Sequence, residues 1–130
     1  MSRPQFTVQV HPQFLPAQSA PSMGVFGFAY TVTITNTGDI TAQLISRTWN
    51  INDANGVTEK VKGEGVVGEQ PLLAPGESFE YTSGCRLRTP TGTMHGQYHC
   101  IAEDGTAFDA DIPMFVLDAI SSLGGRRTLH

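Results

Sequence analysis

Between Phe28 and Thr35 apolar and polar residues alternate without a break, Phe28, Tyr30, Val32 and Ile34 against Ala29, Thr31, Thr33 and Thr35. A period of two puts successive side chains on opposite faces of an extended strand, one toward a core and one toward water. The β-branched and aromatic residues suit that pleated surface. The same period recurs along the chain. Phe6, Val8 and Val10 alternate with Thr7 and Gln9. Ile45, Arg47, Trp49 and Ile51 share a face, and Val57 to Lys62 forms a returning strand. Phe79 and Tyr81 alternate with Ser78, Glu80 and Thr82. Met94, Gly96, Tyr98 and Cys100 alternate with His95, Gln97, His99 and Ile101, and Phe108, Ala110 and Ile112 with Asp109 and Asp111.

Turn chemistry separates these runs. Asn36-Thr37-Gly38-Asp39 ends the first long one. Asn55-Gly56 predicts a tight hairpin with positive φ at both residues. Pro75-Gly76 reads as the centre of a type II turn, Thr89 to Gly92 as another turn, and Asp104-Gly105 as a further hairpin. Eight prolines and fourteen glycines oppose long helices, and Phe115 to Leu123 is the only helix candidate. These signals predict an all-β, immunoglobulin or fibronectin type III-like sandwich of about seven antiparallel strands. Trp49 falls on the third strand, where such sandwiches bury a Trp, and Tyr98 precedes Cys100 by two residues in a late strand. The second-strand cysteine of antibody domains is missing, so the likeness is architectural.

A chain of 130 residues reads as a single domain over 1–130, with a core over 6–119 and a flexible tail over 120–130. The net charge of −4, with eight Lys and Arg in all, opposes nucleic-acid binding. The early residues hold no signal-peptide core, and no apolar run is long enough to span a membrane. The expected location is the cytoplasm. Cys85 and Cys100 form no CxxC pair and are expected to be reduced.

Several blocks carry a family resemblance. The run from Gly63 to Gly84, GEGVVGEQPLLAPGESFEYTSG, follows Arg47-Thr48-Trp49 and precedes Thr89 to Tyr98, Ala102 to Gly105 and Ile112 to Phe115. Together they resemble the ApaG domain family over about Phe6 to Ala119. The resemblance implies a fibronectin-like sandwich and a small bacterial protein associated with diadenosine tetraphosphate metabolism and with cobalt or magnesium tolerance. Related domains are attached to eukaryotic F-box proteins and to a DNA-polymerase-interacting protein, where they look like interaction modules. The family brings no established catalytic activity.

Gly63, Gly65 and Gly68 have GxGxxG spacing. A dinucleotide site of that kind needs a helix N-terminus behind the glycines. Pro71 and Pro75 leave no room for one, and the Rossmann reading fails. Two readings remain open: an irregular loop joining two sheets, or a backbone nest that cups an anion. The second draws in Lys62, Gly63, Glu64, Gly65 and Gly68. It sets a pyrophosphate or dinucleoside polyphosphate against the charges of Glu64 and Glu69, with help from a divalent ion such as Mg²⁺ or Co²⁺. No cofactor and no metal site are otherwise expected. His95 and His99 lie about 13 Å apart on a strand, too far for one ion. Asp109 and Asp111 share a face about 7 Å apart and read as solvated. Arg86 and Arg88 near Cys85 suggest a lowered thiol pKa, against the plainer reading of an ordinary thiol. Arg47 and Trp49 are either core and edge or an exposed binding anchor. No acid, base and nucleophile set can be assembled. The expectation is a non-enzymatic module that binds a protein partner through the Gly63 to Gly76 segment and neighbouring Arg47, Trp49, Arg86 and Arg88. A monomer or weak dimer is expected.

Overall fold

A computed structural model describes residues 2–120. The strands are β1 (Phe6–Phe14), β2 (Phe26–Asn36), β3 (Ala42–Asp53), β4 (Thr58–Glu64), β5 (Leu72–Leu73), β6 (Ser78–Leu87), β7 (Thr91–Ala102) and β8 (Ala107–Asp118). One sheet has the order β1-β2-β6 and the other β4-β3-β7-β8, with the short β5 also on β3. Every pairing is antiparallel. The sandwich expected from the period-two pattern is present, and β5 is the strand that pattern did not contain. Among the described residues no helix is long and apolar enough to cross a membrane.

The helix expected over Phe115 to Leu123 does not begin at Phe115, and helical backbone starts only at Ala119 and Ile120, the last described residues. Phe115 to Asp118 continues β8, with Phe115 and Leu117 turned into the core and Met114 and Val116 exposed. The remainder of that segment, 121–123, and nearly all of the 120–130 tail lie outside the described residues. Pro113 does not break β8, because two residues, Pro113 and Met114, stand opposite His95 in a bulge. A residue without an N–H is tolerated at such an interruption of the ladder.

A second bulge governs β3. Leu44 faces Cys100 and Ser46 faces His99, so Ile45 is the extra residue. Ala42 and Leu44 are buried before it and Trp49 after it. Ile45 therefore does not share a regular face with Trp49, as simple alternation predicted. Hairpin chemistry also differs in detail. Asn55 does not take positive φ; only Gly56 does. Asp53 closes a three-residue loop instead, with its N–H donating to the Val57 carbonyl and its carboxylate accepting from the Asn55 and Val57 amides. This is a type I turn followed by a left-handed glycine, a common three-residue hairpin.

Aromatic side chains join the sheets. The ring of Tyr30 in β2 meets Trp49 in β3 at 5.3 Å between centroids, and Trp49 meets Phe115 at 5.9 Å and Tyr98 at 6.4 Å. Phe6 and Phe108 make an edge-to-face pair where β1 runs beside β8. The hydroxyls of Tyr81 and Tyr98 bond to each other between the sheets. The Tyr98 hydroxyl thus finds a side chain, in place of the backbone partner of a tyrosine corner. Burial pushes the Tyr81 phenol up to about 12 and raises Tyr98 further. A phenol with a raised folded-state pKa supports folding fully below the ordinary value of about 10. It loses that support as pH rises from there toward 12.

Asn36 is the one fully buried side-chain amide of this core. Its Nδ2 donates to the Ile40 and Leu73 carbonyls, and its Oδ1 accepts from the Gly38 amide. Its backbone receives Gly76 N–H and donates to the Glu77 carbonyl. One residue thus ties the end of β2 to β5 and to the turn before β6. Asn36→Ala removes the donor to the buried Leu73 carbonyl and the part-buried Ile40 carbonyl, while the Gly38 amide keeps the Gln5 carbonyl, so a loss of about 2 kcal/mol is expected. Urea denaturation checks it: the midpoint should fall with the slope unchanged, and a shift under about 1 kcal/mol would contradict the hub assignment.

Candidate functional site

The glycine-rich segment is not an irregular connector between sheets. Gly63 and Glu64 belong to β4, opposite Arg47 and Ser46, and the chain returns as β5 on the same sheet. Between them lies a two-residue hairpin. Val66 and Glu69 exchange both backbone hydrogen bonds, at 2.8 and 2.9 Å, around Val67 and Gly68. Both central residues have positive φ, +44° at Val67 and +83° at Gly68. Two left-handed centres define a type I′ turn, in which Asn-Gly is the preferred pair. A β-branched residue at the first centre is an outlier.

The turn is held from below. Val66 is buried at 1% exposure and plugs the edge of the core. The carbonyl that the bulge frees at Ile45 accepts from the Gly65 amide at 2.8 Å and from Gln70 Nε2 at 2.9 Å. Arg47 closes the other side, its Nη1 donating to the Glu64 carbonyl at 3.0 Å and the Gly65 carbonyl at 2.8 Å. The guanidinium lies flat against Gly63, where a Cβ would stand 2.8 Å from its carbon and both terminal nitrogens. Gly65 has φ +62°, and a Cβ there would strike the Glu69 carbonyl. Two of the three motif glycines are therefore accounted for by packing. The amides of Val67 and Gly68 have no partner among the described residues.

The remaining candidates separate. Lys62 is exposed on β4, opposite Thr48. Trp49 is 3% exposed in the aromatic cluster, so it is core and not an exposed anchor. Arg86 and Arg88 are exposed but do not neighbour the Gly63 to Gly68 turn. They line a cleft of about 590 Å³ with Ile51, Asp53, Val57 and Glu59, at the far end of the β3–β4 hairpin. Glu64 and Thr58 mark the two ends of β4, and six residues of strand separate them by about 20 Å. Cys85 is not activated by its arginines: burial pushes its thiol up to about 11, with the Glu59 carboxylate adding to the rise. Burial likewise pushes the Cys100 thiol up to about 12.

One arrangement escaped the sequence reading. On the outer face of the larger sheet, Thr48 Oγ1 lies 2.9 Å from His99 Nε2, and His99 Nδ1 lies 2.8 Å from Asp109 Oδ1. Gln97 Nε2 donates to Asp111 Oδ1 at 3.0 Å beside it. His99 opposes Asp109 and Gln97 opposes Asp111 across β7 and β8. These are cross-strand pairs, visible only once register is known. The hydroxyl–imidazole–carboxylate order matches a nucleophile, base and orienter. The Asp109 side chain is 52% exposed, however, and a solvated carboxylate holds an imidazole weakly. Among the described residues no three His, Cys, Asp or Glu side chains converge to hold a metal ion.

Comparison with known proteins resolves the ancestry. A family model described as "ApaG domain" matches residues 16–102. The chain belongs to the ApaG domain family. It is 69% identical over 117 residues to Protein ApaG of Acidovorax sp. (strain JS42), covering 90% of this chain and 85% of that one. It is 57% identical to Protein ApaG of Ralstonia nicotianae, covering 90% and 94%. A crystal structure of a Bordetella pertussis protein, 55% identical, superposes with a TM-score of 0.88 over 90% of this chain and 95% of that one. The ApaG relatives are named as proteins, with no activity in their names.

The Arg47–Gly63 contact in this ApaG domain is testable by a double-mutant cycle. Gly63→Ala alone should cost about 1–3 kcal/mol, because the guanidinium must leave the Glu64 and Gly65 carbonyls to admit a methyl group. In an Arg47→Ala background the same change should cost less by at least about 1 kcal/mol. Chemical denaturation of the four proteins measures the coupling, and additive costs would refute the contact.

Proposed function

We propose that this ApaG-domain protein is a non-catalytic binding module of the cytoplasm whose recognition element is the Val66 to Glu69 turn, with Leu72 beside it. The observation that carries this reading is Val67. A left-handed conformation costs a residue with a Cβ about 1–2 kcal/mol, and a β-branched one is the least suited to it. Asn or Gly would remove that cost. The chain instead gives up stability to display an apolar side chain, 56% exposed, on a turn fixed by Arg47, Val66 and the Ile45 carbonyl. Strained backbone held by its surroundings is characteristic of functional positions.

Val67 at the tip of the turn and the 63%-exposed Leu72 on β5 are exposed apolar residues, and Lys62, Glu64 and Glu69 are exposed charges of the same β4 to β5 segment. That composition suits a protein surface. A pre-formed turn also loses little entropy on binding. The association with cobalt or magnesium tolerance and with diadenosine tetraphosphate metabolism would follow from what the module captures. A second reading is supported by the unpartnered amides of Val67 and Gly68. Two adjacent donors in a turn suit a pyrophosphate or dinucleoside polyphosphate. Glu64 and Glu69 oppose it unless Lys62 or a divalent ion such as Mg²⁺ or Co²⁺ offsets them.

Two measurements test these readings. Val67→Asn should raise stability by about 1 kcal/mol in thermal denaturation. A photo-crosslinking residue in place of Val67 should give protein adducts in cell extract that the same residue in place of Lys60 does not. No adduct from position 67, or equal adducts from both, would overturn the protein reading.

The anion reading is tested by following amide resonances against sodium pyrophosphate and diadenosine tetraphosphate, with and without Mg²⁺. Saturable shifts centred on Val67 and Gly68 would establish it. Flat titrations to about 1 mM would end it.

A further inference from the structure

Each sheet ends in strands with one unpaired edge, and such edges invite pairing with another chain. Besides the two-residue β5, three of the four terminal strands are blunted. β1 contains Pro12 and runs beside β8. β8 contains Pro113 in a bulge. β4 carries Glu59, Lys60, Lys62 and Glu64 in seven residues. Prolines, bulges and lysines are the devices that keep edges apart. β6 has none of them. Its ten residues contain no Pro and no Lys, and its register with β2 runs unbroken from Phe26↔Leu87 to Thr35↔Ser78.

The charges of β6 follow a pattern. Glu80 and Arg86 are its only two, and each lies three residues from Ser83. Both are exposed on the same outer face, and neither forms an ion pair among the described residues. An antiparallel pairing of two copies about a two-fold axis at Ser83 places Glu80 of each opposite Arg86 of the other. The same register sets Thr82 against Gly84, Tyr81 against Cys85 and Phe79 against Leu87. A self-complementary pattern is what an isologous interface requires. Opposite charges directly across a strand pair are favourable and like charges unfavourable.

We infer that β6 is a homodimerisation edge, joining two three-stranded sheets into one six-stranded sheet through a second copy of this chain. The inference is independent of the proposed recognition turn, which lies on the other sheet.

Sedimentation equilibrium of the full chain from about 1 µM to 1 mM tests it. A reversible dimer is expected within that range. Glu80→Arg and Arg86→Glu should each weaken it at least about tenfold, since each puts like charges opposite one another. The double variant E80R/R86E should recover the original dissociation constant within about threefold. Arg88→Glu, beyond the strand, should leave it within about twofold. Both paired positions are exposed, so circular dichroism should show every variant folded. A chain still monomeric at the highest concentration would overturn the inference. So would a dimer indifferent to both single changes, a double variant that fails to recover, or a larger effect from Arg88 than from Arg86.

Discussion

β3 pairs with three strands, β4, β5 and β7, more than any other strand does, and one extra residue lets it turn the right side chains inward along its whole length. Before the bulge it turns Ala42 and Leu44 into the core and pairs with β5. After it, Trp49 enters the aromatic cluster and Arg47, two residues away on the same face, reaches the rim. Without Ile45 as the extra residue, Leu44 and Trp49 would point to opposite faces of the sheet. The bulge also takes the Ile45 carbonyl out of the ladder, and the glycine-rich segment uses it. The anchoring of the turn is thus a consequence of how the neighbouring strand β3 packs into the core.

Arg47 works at the boundary of that core. Its guanidinium is near enough to Tyr30, Tyr81 and Tyr98 to favour their ionised forms, yet burial dominates and all three phenols stay raised. The cation's clearer role is to accept the edge of the sandwich as its site and satisfy two carbonyls there. Charged donors to carbonyls are among the stronger hydrogen bonds available to a folded chain. A lysine could not lie flat against Gly63 in the same way, since its ammonium is a compact point charge.

The sandwich was legible because alternation and turn residues survive without knowledge of partners. Phe28 to Ile34, Tyr98 to Cys100 and Phe108 to Ile112 face the way their period dictates. What was hidden depends on register. A bulge shifts facing by one residue and leaves no composition signal, so Ile45 was placed with Trp49. The type I′ turn was hidden because Val67 is the wrong residue for it; the sequence offers Asn55-Gly56 as the better candidate, and that pair folds otherwise. Phe115 to Asp118 was misread because a strand that resumes after a proline bulge looks, over four residues, like the start of a helix. The family resemblance came from the Gly63 to Gly84 block, of whose glycines Gly63 and Gly65 are now assigned to packing against Arg47 and Glu69.

The same reasoning weighs the Thr48–His99–Asp109 line against the turn. Hydroxyl, imidazole and carboxylate sit at catalytic distances, but a flat strand surface supplies such distances wherever three polar residues meet across adjacent strands. Each member is already a favourable cross-strand neighbour, so the line needs no function to explain it. Val67 is the reverse case. Its backbone conformation opposes its own side chain, and the local hydrogen bonds would be kept by a better-suited residue. A feature that local energetics disfavours is the stronger pointer to selection for something outside the fold. That asymmetry, and not the glycine spacing that first draws the eye, is why the turn between β4 and β5 is the better candidate site.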